Sequence, residues 1–163
     1  MHPEAEALLV RLSLAPHPEG GYYRETWRSA TRVATPRGAR SALTVVDYLL
    51  PAGSFSAFHR IRADEVWSHG AGDAIELHTV DPAGRHEVAR LGPDDVPGHR
   101  SHAVVPAGWW QAARPLGDRY GLASCSVAPG FEFEDLELAT PGDLLGLRPD
   151  LGDLVRTLAR PPG

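Results

Sequence analysis

Gly53-Ser-Phe-Ser-Ala-Phe-His59-Arg-Ile61-Arg-Ala-Asp-Glu65, closed by Gly72, is the stretch whose reading decides the fold of this 163-residue chain. It follows a turn signal at Pro51-Ala-Gly53 and carries aromatic and small apolar residues at alternate positions. Side chains in a β-strand alternate between two faces, so Phe55, Ala57, His59 and Ile61 share one side. Three apolar residues and one histidine on one face describe the inner wall of a β-structure with a polar group inside it. Glu65, Trp67 and His69 continue that face if the intervening turn preserves parity.

The flanking sequence has the same grain. Seventeen Gly and fifteen Pro punctuate short apolar runs, the pattern of an all-β protein with many turns. Strands are expected over Tyr22–Trp27, Ala42–Leu50, Ala74–Val80, His86–Leu91, Ala103–Pro106, Gly121–Val127 and Phe131–Leu138. Leu8, Leu9 and Leu12 recur at helical spacing, which predicts a short helix from Pro3 to Leu12. Thr140 and Pro141 open a helical turn, and Leu151, Leu154, Val155 and Leu158 place an amphipathic helix over Asp150–Arg160. The sum is a single domain over residues 1–163, an all-β barrel or sandwich with a helix at each end. A net charge of −5 without a basic stripe argues against a nucleic-acid partner. No run approaches the ~20 apolar residues of a membrane span. Met1-His-Pro-Glu lacks the basic start of a signal peptide, and the lone Cys125 cannot form an internal disulfide. The expectation is a cytoplasmic protein with no nucleic-acid or membrane partner.

The quoted stretch resembles the first cupin motif, G-x5-H-x-H-x3-E-x6-G, at every position except Ile61, which stands in place of the second histidine. Pro106-Ala-Gly108-Trp-Trp-Gln111 resembles the second motif, P-x-G-x-x-H, with glutamine for the last histidine. Four flanking pieces narrow the resemblance to cupin family 5: His17 to Ser29, Asp64-Glu-Val-Trp67 with Ala71-Gly-Asp73, Val105 to Ala112, and Val127 to Asp135. Ser68 departs from the pattern, standing where the family often has histidine. The resemblance covers roughly residues 5 to 160. It implies an RmlC-like double-stranded β-helix, a jelly-roll barrel with short terminal helices, a homodimer, and a small-molecule pocket inside the barrel. It implies no agreed reaction.

In a metal cupin His59 and Glu65 would be two of four ligands, with the others at Ile61 and Gln111. Isoleucine cannot coordinate, and a neutral glutamine oxygen is a weak ligand for a transition metal. The expectation is no cofactor; the alternative is a divalent metal held by His59, Glu65, His69 and Gln111, and with it an oxygenase. Metal-free chemistry is more natural: a histidine beside a carboxylate inside an apolar barrel is a general-base candidate. By analogy with sugar-nucleotide epimerases of this fold, His59 is the base, Glu65 or Asp64 orients it, Tyr22 or Tyr23 is the acid, and Arg24 anchors an anion. Phe55, Trp67, His69, Trp109 and Gln111 complete the candidate ligand-binding set. The leading reading is an isomerase or epimerase acting on a small polar or anionic metabolite. The alternative is a non-catalytic binding or sensing barrel, in which Glu65 and His59 simply hydrogen-bond each other. Trp109 shares parity with Gln111 and is expected to face the pocket. One of Trp109 and Trp110 then needs a second apolar environment, expected at a dimer interface or the pocket rim. The acidic run Glu132, Glu134, Asp135 and Glu137 reads as a solvated face. His78, His86, His99 and His102 read as solvated or turn residues, and Cys125 as a small buried hydrophobe.

Overall fold

A computed structural model describes residues 1–159. Helix α1 (Pro3–Arg11) precedes the strands β1 (Ala15–Pro16), β2 (Tyr22–Arg28), β3 (Arg32–Thr35), β4 (Gly38–Ser41), β5 (Thr44–Pro51) and β6 (Ser56–Arg60). The chain continues through β7 (Asp64–Gly72), β8 (Ile75–Val80), β9 (His86–Leu91), β10 (His102–Val105), β11 (Trp110–Pro115), β12 (Tyr120–Ala128) and β13 (Glu137–Leu138). Helices α2 (Pro141–Leu145) and α3 (Gly152–Leu158) end the described chain. Arg160, the last residue of the expected terminal helix, lies outside the described residues.

Two antiparallel sheets face each other, one ordered β1-β2-β5-β12-β7-β10 and the other β13-β6-β11-β8-β9. Successive strands β5, β6, β7 and β8 alternate between the sheets. The neighbours β5, β12 and β7 are therefore far apart in sequence, which is the double-stranded β-helix of a jelly-roll barrel. The hairpin β3–β4 stands outside both sheets and was not foreseen from the sequence.

Alternation decides which residues fill the barrel. Tyr48, Leu50, Trp67, Ile75, Leu77, Leu91, Val105, Ala113, Ala123 and Cys125 form one buried cluster between the sheets. Each fully buried large side chain there stabilises the fold by roughly 1.5–3 kcal/mol. On the outer side of β6 and β11, Phe58, Val80 and Trp110 pack against Leu144, Val155 and Leu158 of the C-terminal helices. Trp110 therefore finds its second apolar environment within its own chain, under the Arg60 guanidinium 4.4 Å from its ring centroid. The expected dimer interface or pocket rim is not where it goes. The carboxylate of Asp143 accepts both the backbone N–H and the hydroxyl of Thr140 at 2.7 Å, closing the start of α2.

The expected strand over Phe131–Leu138 is broken. Phe133–Asp135 form a 3-10 turn, and only Glu137–Leu138 pair, with Arg60 and His59 of β6. The acidic run is a solvated face only in part: Glu134 is exposed and Glu132 and Glu137 are half-buried. Asp135 is buried and takes Arg40 Nε at 2.9 Å and Arg37 Nε at 2.7 Å, while Glu132, Glu134 and Glu137 pair with Arg28, Arg40 and Arg60. The alternation was real, but arginines from elsewhere in the chain made a turn, and not a ladder, the better solution. His78 likewise departs from the solvated expectation: it is buried, stacked on His86 and bonded to Glu76 at 3.0 Å.

Candidate functional site

Above the central cluster the barrel is hollow. A cavity of about 380 Å³ opens between the sheets, and Tyr48, Trp67 and Cys125 belong both to its wall and to the core beneath it. The cavity-facing residues follow the period of two: Thr44, Val46 and Tyr48 on β5, Glu65 and Trp67 on β7, Cys125 and Val127 near the end of β12, and His59 and Ile61 at the end of β6. The mouth is aromatic, with the His17 and Tyr23 rings edge to face at 4.7 Å and Phe131 against Phe133 at 5.1 Å.

His59 is held through both ring nitrogens. Nδ1 lies 2.8 Å from the Ala57 carbonyl, which only accepts, so Nδ1 carries a hydrogen. Nε2 lies 3.2 Å from Glu19 Oε2. Glu19, and neither Glu65 nor Asp64, is thus the histidine's carboxyl partner. Asp64 is exposed and caps a turn by accepting the Ala107 N–H. Glu19 is itself placed by local structure. The tight turn His17–Gly21 closes through the His17 N–H to the Gly21 carbonyl at 3.1 Å. Ala57 N–H and Tyr48 O–H then donate to the carbonyls of Glu19 and Gly20 at 2.8 and 2.6 Å. Gly21 has φ +65°, and a Cβ there would sit 2.8 Å from the Leu49 carbonyl oxygen, so only glycine lets this turn lie on β5. Ser56 O–H donates to Glu19 Oε1 at 2.9 Å.

Glu65 takes the other side of the floor. Its Oε2 accepts Gln111 Nε2–H at 2.6 Å, and Gln111 Oε1 accepts the Trp67 indole N–H at 2.9 Å. Glu65 and His59 are therefore neighbours but do not form the direct hydrogen bond expected of them. Burial pushes the Glu65 carboxyl up to about 7, against the pull of His59 and with the push of Glu19, while hydrogen bonds from Gln111 and Cys125 hold it back. Burial, with Glu65 beside it, pushes the Cys125 thiol well above its ordinary range, the behaviour of an inert buried thiol.

Of the residues singled out from the sequence, the structure gathers His59, Glu65, Trp67, Tyr23 and Arg24 around one cavity, with Gln111 buried directly beneath Glu65. Tyr22 is not among them: it points away, into the cluster of α1 with Leu8 and Leu49. Phe55 packs toward the C-terminal helices and Trp109 against the central core, so neither lines the cavity. His69 lies four residues, about 13 Å, along β7 from Glu65, with Nε2 3.2 Å from the Asp73 carbonyl. Arg24 reaches the rim, but its Nε and Nη2 lie 2.9 and 2.8 Å from Asp47 Oδ2. An anchor already neutralised by a carboxylate offers little to an anion. Glu19 was missed. The signal was present in Pro18-Glu19-Gly20-Gly21, an acid locked into a glycine turn, but no spacing rule connects it to His59.

A divalent metal does not suit this floor. Ile61 is buried where a ligand would stand, Gln111 spends its oxygen on Trp67, and His69 is remote. Among the described residues no group of three His, Cys, Asp or Glu side chains is arranged to hold a metal ion. Among those residues, too, no helix is long and apolar enough to cross a membrane.

Known proteins share the sequence and fold of this chain. An uncharacterized protein of Saccharomyces cerevisiae, YML079W, is 31% identical over 155 residues, covering 82% of this chain and 76% of the yeast protein. A hypothetical protein from Leishmania major superposes with a TM-score of 0.87 at 33% identity, covering 95% of this chain and 98% of that one. A protein from Shewanella oneidensis gives 0.88 at 35% identity, covering 97% and 98%. The family described as Cupin superfamily (DUF985) matches residues 6–139, and the chain belongs to it.

Proposed function

We propose that the barrel binds a small polar metabolite and moves a proton on it without a metal, in the manner of an isomerase or epimerase. One observation carries this reading: Glu65, a carboxyl that burial pushes up to about 7, shares the cavity with an imidazole braced between a carbonyl and a second carboxyl. Environments that set neighbouring titratable groups apart are how one site supplies both an acid and a base. In this reading His59 and Glu19, whose Nε2 and Oε2 lie 3.2 Å apart, act as one base: a proton taken from the ligand comes to rest between them, Nδ1 already donating to the Ala57 carbonyl. Glu19 orients the ring and stabilises the imidazolium that forms. Glu65, holding its proton near pH 7, returns one. Tyr23 stands at the mouth as the second acid. The barrel supplies dry walls of Val46, Ile61, Trp67 and Val127, which strengthen each of these contacts.

The test is solvent exchange. Metabolites that raise the melting temperature are incubated in deuterium oxide and followed by NMR. His59→Asn is expected to abolish deuterium uptake into the ligand while retaining its binding; full exchange in that variant removes His59 as the base. The second reading, a binding or sensing barrel, is favoured by one feature: Gln111, Trp67 and Ser56 already satisfy the floor. It is upheld if ligands that stabilise the protein never exchange. We further propose a cytoplasmic homodimer, checked by light scattering at twice the chain mass.

A further inference from the structure

The charges around the cavity do not balance. Its lining includes the carboxyl groups of Glu19, Glu25, Glu65 and Glu132 and only two guanidinium groups, Arg24 and Arg28. Both guanidinium groups are committed. Arg24 faces Asp47, a fifth carboxyl, at 2.8 Å. Arg28 donates twice to Glu25, at 2.9 and 2.8 Å, once to Glu132 at 2.7 Å and once to the Phe131 carbonyl at 3.0 Å. With Glu65 counted as protonated, the four carboxylates of Glu19, Glu25, Glu132 and Asp47 still face only two guanidinium groups, and protonating both His17 and His59 would do no more than bring the charges level. An anion entering this space would meet an excess of negative charge at the rim and two buried carboxyl groups at the floor, with no uncommitted guanidinium to receive it. In a cavity with apolar walls such a mismatch is only weakly screened.

The mouth suits the opposite charge. Tyr23, Phe131, Phe133 and the His17 ring each stand 4.7–6.2 Å from at least two of the others, and Tyr48 and Trp67 meet edge to face at 5.5 Å within the wall. Aromatic faces attract cations and accept the carbon skeleton that carries them. Below them, Glu19 Oε2, 3.2 Å from His59 Nε2, and Glu65, near enough to feel the charge of His59, both line the cavity as acceptors for a group with several N–H donors. We propose that the cavity selects a small organic amine, bound as the ammonium, with its charge at Glu19 and Glu65 and its carbon body against the aromatic mouth. This names the ligand class for the site of the preceding section and rests on that site binding a metabolite, though not on its turning one over.

The test uses three compounds of one shape: cyclohexylmethylamine, cyclohexylmethanol and cyclohexanecarboxylate. Titration calorimetry on the whole chain at pH 7.5 is expected to show the amine binding at least tenfold more tightly than the alcohol, with no saturable binding of the carboxylate. Glu65→Gln and Glu19→Gln are each expected to reduce amine affinity about tenfold and to leave the alcohol within twofold. Two variants are used because either alone could disturb the floor, and circular dichroism on both shows whether the fold is kept. Binding of the carboxylate equal to that of the amine, an alcohol as tight as the amine, or no amine binding at all overturns the assignment. Deuterium exchange separates the two claims. An anion or neutral compound that exchanges through His59 would leave the proton-transfer reading standing and sink the charge assignment. Amines that bind but never exchange would do the reverse.

Discussion

Replacing Glu65 by glutamine should make the protein more stable, and increasingly so as pH rises. The carboxyl titrates at about 7 in the fold, against 4.5 when exposed. A raised carboxyl costs nothing below its unfolded value. Between the two values the unfolded chain has released its proton and the folded chain has not, so stability falls as pH climbs through that window. The linkage amounts to about 1 kcal/mol at pH 5 and about 3 kcal/mol at pH 8. Glutamine has the shape of the protonated acid and keeps an oxygen for Gln111 Nε2–H, so it escapes the penalty. Changes in packing or hydrogen bonding on substitution are the same at both pH values and cancel from the comparison. The advantage of Glu65→Gln over the parent should therefore grow by about 2.5 kcal/mol from pH 5 to pH 8, or about 5–10 °C in melting temperature for a chain of this size. Differential scanning calorimetry of both proteins at the two pH values is the assay. A difference that does not change with pH would refute the raised carboxyl, and with it the acid assigned to Glu65.

Other consequences are open to similar measurement. Asp135→Asn, which leaves buried Arg40 only the exposed Glu134 as a carboxylate partner, should cost roughly 1.5–3 kcal/mol in urea unfolding. Arg40 and Arg37 hold that carboxyl at about 2, so its contribution is present above pH 4 and should disappear as pH falls toward 2 in acid titration of the parent. Gly21→Ala should cost about 2 kcal/mol or more by the same urea assay, because it combines a left-handed backbone with a Cβ against the Leu49 carbonyl. It should also weaken ligand binding by displacing Glu19; unchanged stability would show that the turn has another resting place. Burial lowers the His78 imidazole below its usual range, and that of stacked His86 as well. Their contribution to stability should fall as pH drops below about 6.5. Melting of Glu65→Gln between pH 7 and 5 reads this without the opposing Glu65 effect, and no decline there would contradict it.

Much of the barrel was legible before any coordinates. Strands β2, β5, β8, β9, β10 and β12 fall within two residues of their expected bounds, because alternation, glycine and proline are local signals that survive in almost any tertiary context. The hairpin β3–β4 escaped notice because its four-residue strands stand apart from the barrel and carry little hydrophobic contrast. The acidic segment at Phe131–Leu138 misled because its strand-like alternation was overruled by Arg37 and Arg40, residues about 95 positions away. Parity also explains the fate of the candidates. His59 and Ile61 face inward as their spacing requires, and Glu65 and Trp67 join them because β6 and β7 enter the cavity from opposite sheets. Tyr22 and Tyr23 differ by one position, so only the observed register could separate the cavity residue from the one against α1.

By itself, then, the sequence determined an inward-facing histidine followed by a glutamate on the walls of a jelly roll, and it withheld the usual metal ligands at Ile61 and Gln111. Those are properties of residue type and spacing along single strands. The tertiary structure decided what that histidine does with its second nitrogen, what Glu65 bonds to, and what sign of charge the cavity presents. The carboxyl that meets His59 comes from a glycine turn forty residues upstream, the amide that meets Glu65 from a strand of the other sheet, and the carboxylates that join Glu25 in neutralising Arg24 and Arg28 from β5 and from the segment after β12. No periodicity encodes such meetings, since they arise only when the chain closes on itself and excludes the water that would otherwise screen them.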